Sequence, residues 1–204
     1  MSLAEIKEKQ LVQKAFLWFW MYAVFGWCYE VFLEVVVYRW GFHNRGNLIG
    51  PYCPIYGVGA LLFLLCFSRL MKKKEPKWLV FVKPVLIFLG CMLVATTVEL
   101  IASYIMEFTT GSWPWQTYEK YKYNFQARIA LSTSVRFGLG GVLFMYVIQP
   151  FFEWLTDKPS RKTLNIIAAV VLVIVVADFI VTKLTGYTPR LAQDALFIPV
   201  FRRV

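Results

Sequence analysis

Charge is scarce in this sequence. Only 17% of its 204 residues are Asp, Glu, Lys or Arg, where a water-soluble domain carries about 25%. Histidine is nearly absent, with His43 standing alone. The four cysteines, Cys28, Cys53, Cys66 and Cys91, have neither CxxC nor Cys/His spacing, so no metal site is expected, and nothing else implies a cofactor. No G-x-x-x-x-G-K-[ST] stretch occurs, so the chain cannot cradle ATP phosphates in that way. It has no Ser/Gly-rich linker, low-complexity tract or strong internal repeat, and the expectation is one domain over residues 1–204. No A-x-A-like site follows the first apolar block, which is therefore expected to remain as a span.

Apolar residues fill the space that charge leaves: 59% of the chain is hydrophobic and 18% aromatic. They fall in long blocks rather than on alternating faces, the pattern of membrane spans. The sequence predicts an all-α membrane protein with transmembrane helices over about 16–38, 55–70, 84–106, 128–154 and 164–183. A helix needs about 20 residues to cross the hydrocarbon core, and the second block falls short before Arg69. Either the second span begins nearer Pro51, or the Gly/Pro/Asn-rich stretch ahead of it, Asn44 to Tyr56, is a re-entrant loop between the first and second spans; an ordinary tight surface loop is the other reading of that stretch. Irregular backbone is tolerated at membrane depth only where protein or a water-filled cavity surrounds it.

The net charge of +10 raises the question of nucleic acid. The basic residues lie in short clusters between apolar blocks, as in Arg69 to Lys77 and Lys158 to Lys162, where they set orientation and touch lipid headgroups. No nucleic-acid motif accompanies them, so membrane lipids are the expected partners. With the N-terminus in the cytoplasm, the inner segments hold twelve Lys and Arg, and the outer ones hold five: Arg39, Arg45, Lys120, Lys122 and Arg128. That bias predicts a multi-pass plasma-membrane protein with a cytoplasmic N-terminus.

This topology places the ionisable residues of the spans in the outer half of the membrane. Glu30 and Glu34 lie one helical turn apart; Glu99, Ser103 and Glu107 share a face; and Arg128, Ser132 and Arg136 repeat that spacing at the start of the fourth span. Asp178 and Thr182 lie late in the fifth span. A charge near the bilayer centre costs ~2.5–3.5 kcal/mol on insertion scales, so the acids are expected to turn inward toward Arg128 and Arg136. The candidate ligand-binding residues are Glu30, Glu34, Asn44, Arg45, Tyr56, Glu99, Arg128 and Asp178. No catalytic residue can be named. The other reading of the same pattern is a set of interhelical ion pairs that only hold the bundle together. The aromatic loop over Trp113 to Tyr123 fits an interfacial belt, or a surface that stacks on a sugar or lipid headgroup.

The strings FGWCYEVFLE, HNRGNLIGPYCPIYGVGALL, VELIASYIME, SWPWQTYEKYKYNFQARIALSTSVRFGLGG and VVADFIVT resemble the bacterial putative ABC-transporter type IV, or CmpB-like, family over about Phe16 to Thr182. The sequence departs from the family's pattern around Trp113 to Gln116, at Ala127–Arg128 and at Arg136. The resemblance implies a permease or solute-binding transport component in the bacterial plasma membrane. Its ligand would be a small polar or charged solute or a lipid headgroup, and a separate ATPase subunit would be its partner. The residues leave two alternatives open: an intramembrane enzyme acting on a lipid-linked or cell-wall substrate at the outer leaflet, and a structural or regulatory subunit.

Overall fold

The computed structural model describes residues 3–37, 39, 41–42, 44, 46, 48–72, 79–113 and 115–186. His43, Arg45, Lys73, Lys74 and Lys77 lie outside the described residues. The helices are α1 (Leu3–Phe32), α2 (Pro54–Lys72), α3 (Leu79–Thr110), α4 (Leu131–Leu143), α5 (Gln149–Asp157) and α6 (Arg161–Thr185). Two π-helical segments, Leu33–Val37 and Phe144–Ile148, extend α1 and join α4 to α5. A 3₁₀ turn, Gln116–Lys120, precedes a small antiparallel pair, β1 (Asn124–Phe125) and β2 (Ile129–Ala130). Five helices are long and apolar enough to cross a membrane: Gln10–Val37, Pro54–Met71, Leu79–Thr109, Leu131–Asp157 and Arg161–Thr185. The all-α membrane class and the five spans read from the sequence are therefore present.

The chain forms two compact units. The first draws on Met1–Val58 and Leu155–Val204, and the second is Gly59–Trp154.

In the first unit α1 packs on α6. Leaving the π-helical end of α1, the chain passes through left-handed backbone at Arg39 (φ 56°) and Gly41 (φ 92°), a conformation that ends a helix. The following segment then returns along α1. The Cys53 N–H donates to the Ala23 carbonyl at 2.8 Å, and Tyr52 meets Trp20 edge to face at 5.3 Å. Gly26 and Gly57 leave room for Tyr56 and Phe19, which a Cβ at either glycine would strike. Trp18 donates to Thr156 Oγ1 at 3.1 Å, and Lys14 pairs with Asp157. Helix α6 starts where the Ser160 hydroxyl accepts the Thr163 N–H, and it ends at left-handed Gly186 (φ 61°).

In the second unit α3 and α4 form the principal contact. Small residues make the approach close. A Cβ at Gly138 would lie 2.7 Å from the Phe88 ring and 2.9 Å from its carbonyl, and one at Gly141 would strike Cys91. Such small-residue contacts replace the hydrophobic effect as the driving force for helix association in lipid. Phe63 covers Phe144 edge to face at 5.6 Å.

The fourth span departs from expectation at its start. It begins at Leu131, because residues 124–130 fold into the β1–β2 hairpin. Gln126 and Ala127 both adopt positive φ, 52° and 54°, and the Arg128 N–H closes the turn on the Phe125 carbonyl at 2.9 Å. Arg128 is thus a turn residue, and the helical face expected for Arg128, Ser132 and Arg136 does not exist. Arg128 is buried, whereas Ser132 and Arg136 are exposed.

Candidate functional site

The candidate residues fall into one polar cluster in each unit. In the second unit it runs along α3. Arg128 reaches back from the hairpin and is only 6% exposed. Its guanidinium lies between the Tyr104 and Trp113 rings, 4.1 and 4.0 Å from their centres. It donates to Glu107 Oε2 at 2.5 Å and to Ser103 Oγ at 3.3 Å. The indoles of Trp113 and Trp115 donate to the Ala127 and Arg128 carbonyls at 3.0 and 2.9 Å, and the Tyr104 hydroxyl donates to Gln126 at 3.0 Å. The left-handed turn therefore aims both carbonyls at the indoles and sends the Arg128 side chain inward. This explains why two non-glycine residues hold a backbone that costs roughly 1–3 kcal/mol each.

Glu99 lies two turns before Glu107 and bonds to a different residue. Its Oε1 accepts the Tyr118 hydroxyl at 2.8 Å. Its Oε2 is buried and has no hydrogen-bond partner among the described residues. Tyr118 stands in the loop outside the spans. Burial pushes its hydroxyl well above the ordinary phenol range; a bond with Thr133 opposes this and the Glu99 carboxylate adds to it. Tyr118 therefore stays a donor at every physiological pH. One turn inward from Glu99, Thr96 donates to Ser134 on α4 at 2.7 Å. Arg136 has no ion pair with any acid among the described residues.

In the first unit Asp178 is the most fully bonded acid. It accepts the Ile49 N–H at 3.1 Å, the Gly50 N–H at 2.9 Å, the Tyr52 hydroxyl, and Thr182 Oγ1 at 3.1 Å. Asn44 Oδ1 accepts the Trp27 indole N–H at 2.7 Å and the Gly46 N–H at 3.2 Å, while its amide donates to the Leu48 and Ile49 carbonyls. Both side chains shape the 44–53 segment. Glu30 accepts the Tyr56 hydroxyl, and Glu34 is buried at 3% exposure in the π-helical segment. Arg45 lies outside the described residues.

The putative ABC-transporter type IV family matches residues 17–183. The chain belongs to that family. No curated protein and no solved structure matches it. The family and the five spans make it a multi-pass membrane protein related to transport. Within the family's span the structure joins Glu30 to Tyr56, Asn44 to Trp27, and Asp178 to the 49–52 backbone. It separates Glu99, held by Tyr118, from Arg128, held by Glu107. Sequence reasoning missed Tyr118, Thr133 and the Tyr104–Trp113 sandwich. Tyr118 had a signal in the need of Glu99 for a donor, but its neighbours Trp113, Trp115 and Tyr121 read as an interfacial belt.

Proposed function

We propose that this chain is a permease or solute-binding component of a membrane transport system, and that its span carboxylates contact the cargo, an ion or a small polar or charged solute. One observation carries the reading. Glu99, inside a span, keeps a buried oxygen with no hydrogen-bond partner among the described residues, while the buried cation nearest in sequence, Arg128, pairs with Glu107 through Nη2 and holds its own Nε unbonded. A purely structural polar cluster saturates its members, since an unmet buried group costs about 1–3 kcal/mol. In the first unit Glu30 likewise rests on a tyrosine hydroxyl rather than a cation. Glu34 and Tyr56 belong to the same proposed ligand-contacting set as Glu30, with Asn44 and Asp178 shaping the adjoining segment; Arg45, outside the described residues, is kept as a candidate contact from the sequence alone. The 44–53 segment is taken as re-entrant, a reading supported by the Cys53–Ala23 bond near the middle of Gln10–Val37. A separate ATPase subunit is the proposed partner.

Uptake of labelled amino acids, polyamines, quaternary amines and inorganic ions would be compared in vesicles from cells with and without the chain. At least one saturable flux is expected to depend on it and to fall tenfold or more in Glu30→Gln and Glu99→Gln. If every flux is the same in both vesicle sets, the reading fails.

The proposed site is the bacterial plasma membrane, with the N-terminus in the cytoplasm, on the strength of the Lys/Arg bias. In a background without native cysteines, a cysteine at Lys73 should label only from the cytoplasmic side and one at Lys120 only from outside. The reverse pattern would invert the orientation.

A further inference from the structure

The α3–α4 seam around Glu99 has a composition that neither a protein cation nor a solute of unstated class explains. Glu99 Oε2 is buried and unbonded among the described residues. The Tyr118 phenol donates to Glu99 Oε1 at 2.8 Å, and the Thr133 hydroxyl lies close enough to that phenol to influence its titration. One turn inward Thr96 and Ser134 meet at 2.7 Å. One turn outward is Ser103, fully buried and bonded to the Leu100 carbonyl at 2.7 Å. Thr133 and Ser134 are themselves buried at 8% and 4% exposure. Among the described residues the seam therefore offers one carboxylate and several hydroxyl oxygens, and no imidazole or thiolate ligand.

We propose that this seam is a binding site for a monovalent metal cation such as sodium or potassium, held by Glu99 Oε2 and the hydroxyl oxygens of Thr133 and Tyr118. The proposal rests on the transport reading and deepens it by making this cation the cargo or the coupling ion.

Three arguments select the ion. Hard oxygen donors without imidazole or thiolate suit hard cations and exclude the softer transition metals. A single carboxylate matches a single positive charge, whereas calcium and magnesium draw on more carboxylates or retain several waters. The local cations are engaged elsewhere: Arg128 sits on Glu107, and Arg136 of α4 is exposed. The titratable groups facing this stretch of α3 among the described residues include Tyr118, Tyr121 stacked on Tyr118 at 5.4 Å, Glu107, and Arg128, whose Nη1 and Nη2 are directed at Ser103 and Glu107 rather than at Glu99. The donor order also leaves lone pairs open, because the phenol hydrogen is directed at Glu99 Oε1.

The test uses the purified full chain in nanodiscs, with unfolding followed by tryptophan fluorescence at constant ionic strength in sodium, potassium or choline chloride. Sodium or potassium at about one hundred times its dissociation constant should raise Tm by about 5–10 °C over choline. Glu99→Gln should abolish the sodium increment, and Thr133→Val should weaken the half-saturating concentration at least tenfold. Should Glu99→Gln fail to fold, Thr133→Val and Tyr118→Phe decide the matter by sodium-23 line broadening relative to the unmodified chain. Equal Tm in all three salts overturns the site, as does a sodium increment that survives Glu99→Gln or line broadening unchanged in both hydroxyl variants. A sodium increment without any chain-dependent flux keeps the site and sinks the transport reading. Flux without a sodium increment does the opposite.

Discussion

Asp178→Ala is expected to release the 44–53 segment and destabilise the first unit by about 3–4 kcal/mol, since hydrogen bonds to a charged acceptor contribute ~1.5–3 kcal/mol each. Asp178 serves as the common acceptor of that segment, taking two consecutive backbone N–H groups, the Tyr52 hydroxyl and Thr182 on its own helix. Without it the half-buried Gly50 N–H has no acceptor, and Tyr52 loses its tie beside Trp20. The exposed Ile49 N–H can turn to water, which keeps the cost below the sum of four bonds. Asp178→Asn keeps one acceptor oxygen and should cost about half as much. Unfolding in mixed detergent micelles would measure both. A second readout is specific to the anchoring role. Cys53 is buried at 6% exposure, so maleimide labelling of Cys53 should accelerate at least tenfold in Asp178→Ala. If Cys53 stays protected while stability is unchanged, Asp178 does not anchor this segment.

Arg128→Ala is expected to cost about 3 kcal/mol in the second unit, because a desolvated cation–π contact contributes up to ~2 kcal/mol and the side chain makes two. The ion pair contributes less than its 2.5 Å separation suggests, since the Glu107 side chain is 44% exposed and water screens it. Glu107→Gln should accordingly cost no more than about 1 kcal/mol. Arg128→Lys is the discriminating variant. It keeps the charge and loses the plane that fits between Tyr104 and Trp113, so it should recover less than half of the alanine loss. Unfolding of the variants, with a double-mutant cycle through Trp113→Leu, would check this. A lysine variant as stable as the native chain would show that charge alone matters at this position.

Within each cluster two acids differ in what binds them. Asp178 and Glu107 are met by strong donors, four groups on the first and a guanidinium on the second. Glu30 and Glu99 are met by tyrosine hydroxyls. A phenol can satisfy one lone pair of a carboxylate but cannot neutralise it, and uncompensated charge in a span is costly. The first pair of acids therefore reads as scaffold. The second pair is the one that, on the proposed reading, a ligand meets.

Sequence alone determined the class and the count of spans. Long apolar blocks have one inexpensive fate, a helix whose backbone satisfies itself within lipid, and the five helices appear where those blocks stand. It also placed Glu99, Ser103 and Glu107 on one face of α3, because helical periodicity is a local property. It could not place Arg128. The i, i+4 spacing to Ser132 and Arg136 held only if the helix continued through residue 128, and the left-handed turn at Gln126 and Ala127 ends that assumption. No glycine, Asn-Gly or Pro signal marks that turn, because its stability comes from the Trp113 and Trp115 indoles that bond its carbonyls. Partner choice was likewise beyond the sequence. Composition counted acids against bases in the outer half of the membrane. The chain's path assigned Asp178 to the 49–52 backbone and Arg128 to Glu107, and left Glu99 with an open oxygen, because hydrogen bonds follow three-dimensional reach rather than distance along the chain.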